Sequence, residues 1–309
     1  MHGGGRMSLR DLVIVGAGPA GVSAALWACS LHLDVELIEA AAVPGGQLQH
    51  VHFHPRELPG IEFGHGRAIA QTYLRQLLDA RVPLRWETRA LGLEGGATPS
   101  LTLADGTRLA ARALLVASGA RRRRLEVPGE VEYTDRGVST SATRDRATLA
   151  GRVVAVIGGG DAAYENALLL AAVGCTVTLL VRGTPRARAE FRARVEADPR
   201  ITVRTHAQVV AFEGDDVLRR VRIQEGGHTH LLEVEGVVVK VGVVPNTEWC
   251  RPALAHDADG WLTVDDTFAT SLPGVWAAGD IVRPRLPSLS VAAGHGALAV
   301  AAIRSHLHG

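Results

Sequence analysis

The sequence predicts an α/β protein that carries one βαβ supersecondary fold twice. Three observations predict it. The stretch Asp11–Gly21 (DLVIVGAGPAG) reads as a buried strand, a glycine-rich turn and the start of a helix. A second strand, Val35–Ile38, follows and ends in an acid, Glu39. About 140 residues later, Gly151–Gly160 repeats strand and glycine turn and leads into a helix and the strand Thr176–Val181.

In the first copy, Gly16, Gly18 and Gly21 fall at G-x-G-x-x-G spacing. Gly16 permits the tight turn, Gly18 lets backbone approach a pyrophosphate, and Gly21 lets helix and strand pack closely. The helix N-terminus adds free N–H groups and a positive dipole. Glu39 stands 21 residues after Gly18, where an acid accepts hydrogen bonds from a ribose. Strand, glycines, helix, strand and acid in register point to a bound dinucleotide.

Beyond Glu39, Pro44, Gly45 and Gly46 make a turn, and Gln47 offers a side-chain amide to a ligand. His50–Gly66 holds four histidines. A metal pair at His52 and His54 is weighed against a plain loop, which is favoured because no Cys or acid joins the pair at ligand spacing. Residues 67–81 read as an amphipathic helix. Residues 84–92 and 100–111 read as hairpin material with an Asp105-Gly106 turn. Ala113–Gly119 reads as another buried strand, followed by four arginines, Arg121–Arg124, either a solvated loop or a docking patch.

The second copy has Gly158, Gly159, Gly160 and Asp161, then a helix over 166–172. No acid follows its second strand; Arg182, Arg186, Arg188 and Arg192 stand there instead, which favours a 2′-phosphate and hence NADP. Residues 201–241 read as strands, Trp261–Val264 as a short strand, Gly274–Asp280 as a strand, and Leu289–Leu307 as the closing helix.

Composition sets the outer limits. The 309 residues have room for two domains, and a hydrophobic content of 47% with 35 glycines suits small-residue helix–sheet packing. A net charge of +1 gives no case for nucleic acid, and no apolar run reaches membrane-span length. The first ten residues lack the apolar stretch of a secretion signal. Cys29, Cys175 and Cys250 form no C-x-x-C, so a cytoplasmic location is expected.

Taken together, GAGPAG, Glu39, PGGQL, the ASG strand end, GGGDAA, VGVVPNT and GVWAAGD resemble the low-molecular-weight thioredoxin reductases and their relatives, over nearly the whole chain. These are FAD- and NAD(P)-binding pyridine nucleotide-disulfide oxidoreductases of class II. The resemblance implies two Rossmann-like domains. FAD would lie on a discontinuous domain, residues 1–125 and 247–309. NADPH (or NADH) would lie on an inserted domain, residues 126–246, and the protein would be a homodimer. By motif position, Gly16, Gly18, Pro19, Ala20, Gly21, Glu39, Ala40, Gly46, Gln47, Ala117, Gly119, Gly279 and Asp280 would contact FAD. Gly159, Gly160, Asp161, Arg182, Arg188 and Arg192 would face the nicotinamide cofactor.

Two segments depart from that pattern: Val181-Arg182-Gly183 is separated by extra residues from Phe191-Arg192, where the family has a His-Arg-Arg run followed closely by Phe-Arg, and the larger departure lies in Gly137–Asp145. Where the disulfide reductases of this family carry Cys-Ala-Thr-Cys-Asp, this chain has Ser141-Ala142-Thr143-Arg144-Asp145. A hydroxyl and a guanidinium form no disulfide. The expected catalytic residues are therefore Arg144, whose charge would favour reduced flavin or an anionic substrate or else turns to solvent, Asp145, either a relic of the family's acid or a group that moves protons, and Ser141 as a small polar filler. The leading expectation is an NAD(P)H-dependent flavin oxidoreductase with a non-thioredoxin acceptor, ferredoxin or flavodoxin first. The alternatives are a flavin oxidase or reductase of a small molecule, a reductase of a low-molecular-weight disulfide, and a non-catalytic FAD-binding module.

Overall fold

Leu12, Val13 and Ile14 are wholly buried and Val15 nearly so, as in a strand covered on both faces. They form the heart of β1 (Arg10–Val15). In the computed structural model, which describes residues 9–55, 58 and 64–309, the chain continues through α1 (Pro19–Ser30), β2 (Val35–Ile38), a 3-10 turn at Gly46–His50 and α2 (Gly66–Asp79). Then come β3 (Leu84–Arg85), β4 (Ala90–Glu94), β5 (Ser100–Leu103), β6 (Arg108–Val116) and β7 (Ala120–Arg122). β8 (Val138–Ser139), α3 (Ala142–Leu149), β9 (Val153–Ile157), α4 (Asp161–Ala171), β10 (Thr176–Val181) and α5 (Ala189–Glu196) follow. Next are β11 (Ile201–Thr205), β12 (Gln208–Gly214), β13 (Leu218–Glu225), β14 (His228–Glu233) and β15 (Gly236–Val239). The chain closes with β16 (Val243–Pro245), β17 (Val275–Ala277), a 3-10 turn at Gly279–Val282 and α6 (Leu289–His308). It divides into two units, Met1–Arg121 with Val244–Gly309, and Arg122–Val243.

The first unit is built on a sheet of order β3-β2-β1-β6-β5-β4, with β17 also paired to β6. Strands β1, β2, β3, β6 and β17 run parallel; β4 and β5 are antiparallel additions. Three sequence expectations are corrected here. Residues 100–111 and 113–119 are not separate strands at their junction, because β6 runs unbroken from Arg108 to Val116. Arg112, which looked like a break, sits on an exposed face and donates to Asp11 at 2.8 Å and to the Leu307 carbonyl at 2.9 Å. Leu84 is no hairpin residue but pairs in parallel with Leu37; the Asp105-Gly106 turn joins β5 to β6. Trp261–Val264 contributes only one isolated bridge, His256 to Leu262.

Ala24, Ala25 and Ala28 bury one face of α1 completely, and a Cβ on Gly296 of α6 would lie 2.1 Å from the Ala20 carbonyl oxygen. Small residues therefore let α1 and α6 touch backbone to backbone over the glycine turn. Each larger aliphatic side chain closed into this core is worth about 1.5–3 kcal/mol.

The second unit has a fully parallel sheet of order β11-β10-β9-β15-β8. Helices α3, α4 and α5 cover one face and the β12–β13–β14 meander covers the other. The expected helix over 166–172 begins five residues earlier, at Asp161, because Gly160 in extended conformation caps it. Among the described residues, no helix is long and apolar enough to cross a membrane.

Candidate functional site

Three glycine turns converge in the first unit. Gly16, at φ +108°, leaves β1 and packs on the end of β6: a Cβ there would sit 2.5 Å from the Ala117 carbonyl oxygen. A Cβ on Gly21 would lie 1.8 Å from the Gly16 carbonyl oxygen, so α1 closes directly on the turn. Gly45 N–H donates to the Ala17 carbonyl at 2.7 Å. This brings the second turn onto the first, and a Cβ on Gly46 would be 3.6 Å from the Gly18 Cα. The third, Gly279 at φ +85°, abuts Ala20 in the first turn of α1. Gly18, Gly46, Ala20 and Gly279 thus share one small area, with Pro19 opening α1.

Within this cradle, a Cβ on Gly18 would meet nothing within 4 Å, and neither would one on Gly119. Both backbones border open space. Glu39 closes β2 with its carboxylate turned to the first turn: Oε2 accepts from Ala17 N–H at 2.7 Å and Oε1 from Ala41 N–H at 2.8 Å. A carboxylate has about four lone-pair sites, so Glu39 fixes the turn, next to Ala40, and keeps acceptors for a ligand. Gln47 donates its amide to the Ala120 carbonyl at 2.9 Å, which leaves its carbonyl oxygen as the free end. Asp280 is partly buried; its carboxylate has no hydrogen-bond partner among the described residues and is pushed above the usual carboxylate range by burial. Open backbone at Gly18, a helix N-terminus and an unsatisfied carboxylate are what a dinucleotide with ribose and ribityl hydroxyls needs, so the residues fit FAD.

The second unit repeats the arrangement. Gly158, at φ +145°, packs against the carboxyl end of β15, where a Cβ would be 2.2 Å from the Lys240 carbonyl oxygen. Gly160 caps α4 and faces open space. The Gly159 carbonyl accepts from Arg186 N–H at 2.6 Å and Ala187 N–H at 3.1 Å, which folds the 183–188 loop back over the glycine turn. Asp161 is bound by Arg188 through both its backbone N–H and Nε, each at 2.7 Å. These two expected cofactor contacts therefore hold one another. Arg182 and Arg192 remain exposed beside β10 and α5, with Arg186 between them.

The corner between β8 and α3 holds the three expected catalytic residues. Ser141 is buried and caps α3, its Oγ accepting from Arg144 N–H at 3.3 Å. Arg144 grips Asp145 with Nε to Oδ1 at 2.7 Å and Nη2 to Oδ2 at 2.9 Å, and reaches Asp135 at 2.9 Å. The Asp145 hydrogen bonds raise the Arg144 pKa still further above its ordinary value. Ser139 Oγ donates to Asp145 and accepts from Ser141 N–H. The Arg144 guanidinium lies at the exposed surface, where two carboxylates pair with it.

Sequence reasoning missed Ser139, Asp135, Asn166 (which accepts from Ala142 N–H at 3.0 Å) and Lys240. Only Lys240 left a signal, a lone charge in the apolar run VVVKVGVV. Of the four arginines, Arg121 is tied to Glu248 and Asn246, and Arg122 donates to Thr140. Arg123 and Arg124 stay exposed. Among the described residues no group of His, Cys, Asp and Glu is set to hold a metal ion, and His54 lies 3.1 Å from the Gly64 carbonyl instead. All three cysteines are free, two of them buried.

Comparison with known proteins agrees with this geometry. The family model described as pyridine nucleotide-disulphide oxidoreductase matches residues 10–296. The thioredoxin reductase of Mycolicibacterium smegmatis is 35% identical, covering 94% of each chain. The NADH dehydrogenase of Bacillus subtilis is 31% identical, over 94% of this chain and 57% of its own. The crystal structure of Lactococcus lactis thioredoxin reductase superposes with a TM-score of 0.81 at 29% identity, covering 97% of this chain and 99% of that one. The chain belongs to the pyridine nucleotide-disulphide oxidoreductase family, as an NAD(P)H-dependent flavin oxidoreductase of thioredoxin reductase-like α/β fold that uses FAD and NADPH or NADH.

Proposed function

We propose that this enzyme passes electrons from NAD(P)H through FAD to an acceptor other than thioredoxin, with a ferredoxin- or flavodoxin-type carrier as the first candidate. One observation carries the reading: the β8–α3 corner, where the resemblance puts a redox dithiol, has no thiol. A capping serine and an arginine locked between Asp135 and Asp145 fill it. Cys175 and Cys250 are buried, and burial pushes the Cys250 thiol up to about 12, so neither serves in exchange at neutral pH.

In this reading the first unit holds FAD and the second holds the nicotinamide nucleotide. When bound, FAD supplies the two-electron to one-electron conversion that no side chain here provides. The Gly18 backbone and the N-terminus of α1 hold its pyrophosphate, Glu39 a ribose, and Asp280 a hydroxyl or ring N–H. In the second unit the Gly160 backbone and α4 hold the nicotinamide nucleotide's pyrophosphate. Arg182 and Arg192, not Arg188, are the cations left to meet a 2′-phosphate. Asp145, bound by Arg144 on both carboxylate oxygens, is the group assigned to proton movement. With two electrons in and one proton released, two one-electron carriers are reduced per NAD(P)H. Arg123 and Arg124 are exposed cations fit for an acidic carrier. The protein acts as a homodimer in a reducing, cytoplasmic setting.

The test is anaerobic mixing of the yellow protein with NADPH and then NADH, followed at about 450 nm. Rapid bleaching without a thiolate–flavin charge-transfer band is expected, with reoxidation by ferredoxin or flavodoxin and none by thioredoxin. A flavin that stays oxidised with both nucleotides overturns the reductase reading. Bleaching followed by reoxidation only with a small disulfide or quinone replaces the carrier protein by that substrate.

A further inference from the structure

Lys240 is the first residue past the carboxyl end of β15. Its backbone is pressed against the second glycine turn. The Lys240 N–H donates to the Ile157 carbonyl at 2.7 Å, and its own carbonyl oxygen fills the place of a Gly158 Cβ. Strands β10 and β15 flank β9 on opposite sides. The strand order therefore reverses between β9 and β15, which is the crevice where open parallel sheets take their ligands.

The two mononucleotide halves of a dinucleotide lie on the two sides of such a crevice. Arg182 follows β10 and stands on the adenosine side. Lys240 stands on the other. Its side chain is partly buried and makes no hydrogen bond or ion pair with any described residue. Arg122 is a second cation near it, and Glu165, in the second turn of α4, is the acid within electrostatic reach. An ammonium withdrawn from water with no carboxylate on it is costly unless a strong acceptor arrives.

We propose that Lys240 sets recognition of the nicotinamide half of the dinucleotide, donating a charge-assisted hydrogen bond to an oxygen of its phosphate or carboxamide. The proposal rests on the reading of the second unit as the nicotinamide domain. Such a bond outweighs a neutral one, and the sequence family resemblance assigns this position no role. Burial holds the Lys240 pKa down at about 8, so the bond weakens as the ammonium loses its proton above that pH. The charged groups on the neighbouring elements are Arg122 on β7, Glu165 and the Asp161–Arg188 pair at α4, and the Arg144–Asp145 pair at α3.

Calorimetric binding to the full-length flavoprotein tests this without turnover. The probes are NADP+ with its fragment 2′,5′-ADP, or NAD+ with 5′-AMP if the wild type prefers NAD+. Adding 2′-phospho-ADP-ribose or ADP-ribose separates phosphate from carboxamide. Lys240→Met is expected to weaken the dinucleotide about tenfold and to leave the fragment unchanged. Lys240→Arg should keep most of the affinity. Wild-type affinity should fall between about pH 7 and pH 9.5, and neither variant should show that slope. Equal loss for dinucleotide and fragment, or no loss for either, overturns the proposal. Wild-type protein that binds neither probe overturns the nicotinamide-domain reading itself, and the proposal with it.

Discussion

At the scale of single residues, the contrast between two cations is instructive. Arg144 is surrounded by acids and its charge is spent on structure; Lys240 has none paired with it. The energetic consequence for Lys240 follows from linkage. Its folded pKa of about 8 lies below the 10.5 of an unfolded lysine. Between those values the unfolded state binds more protons, so stability rises with pH from about 8 to 10.5. Below pH 8 the buried charge costs its full amount, on the order of 2 kcal/mol after solvent screening. Lys240→Met should therefore be more stable than wild type at pH 7 by urea midpoint, and the difference should shrink toward pH 10.5. A variant less stable at pH 7 would mean that the ammonium is already paired. Residue identities at the β8–α3 corner were legible in the sequence. Their partners were not, because Asp135 and Ser139 reach Arg144 and Asp145 through side-chain directions that spacing does not encode.

At the scale of elements, the glycine turns were the most legible part of the chain, since each glycine meets a steric demand that only its lack of a Cβ satisfies. β6 was less so: exposed Arg112 interrupts its apolar pattern without interrupting its backbone. α3 and α5 went unread, because ATRDRATL and AEFRARVE carry little apolar periodicity and are held by a Ser141 cap and by tertiary packing. The turns also separate cofactor contacts from scaffold. Gly21→Ala puts a methyl 1.8 Å from the Gly16 carbonyl oxygen and should prevent the first unit from folding. Gly18→Ala meets nothing within 4 Å and keeps a negative φ of −75°. Its apoprotein should melt within about 2 °C of wild type, while FAD affinity drops at least about tenfold because the methyl occupies the pyrophosphate's approach. Unchanged FAD binding in Gly18→Ala, read by flavin fluorescence on release, would remove the pyrophosphate from this turn.

At the scale of the whole molecule, the second unit is one uninterrupted segment, Arg122–Val243, whereas the first needs two. That segment is about 120 residues, an ordinary domain size, and its two hydrophobic clusters close both faces of its own parallel sheet. Its ends meet: Arg123 N–H donates to the Gly242 carbonyl at 2.9 Å. A segment with its own core and adjacent ends loses little backbone order when released from its neighbours. The isolated segment should therefore unfold in one cooperative urea transition and bind the same nicotinamide nucleotide as the full chain, while remaining colourless for want of a flavin site. The first unit gives the opposite expectation. β17 pairs with β6, and Gly279 and α6 complete the cradle around α1, so Met1–Arg121 alone lacks a strand, a helix and Asp280. That fragment should neither fold cooperatively nor retain FAD. A second unit that binds nucleotide only within the full chain would show that the crevice at β9 and β15 is not complete in itself, and would move the search for nucleotide contacts beyond Lys240 and Arg182.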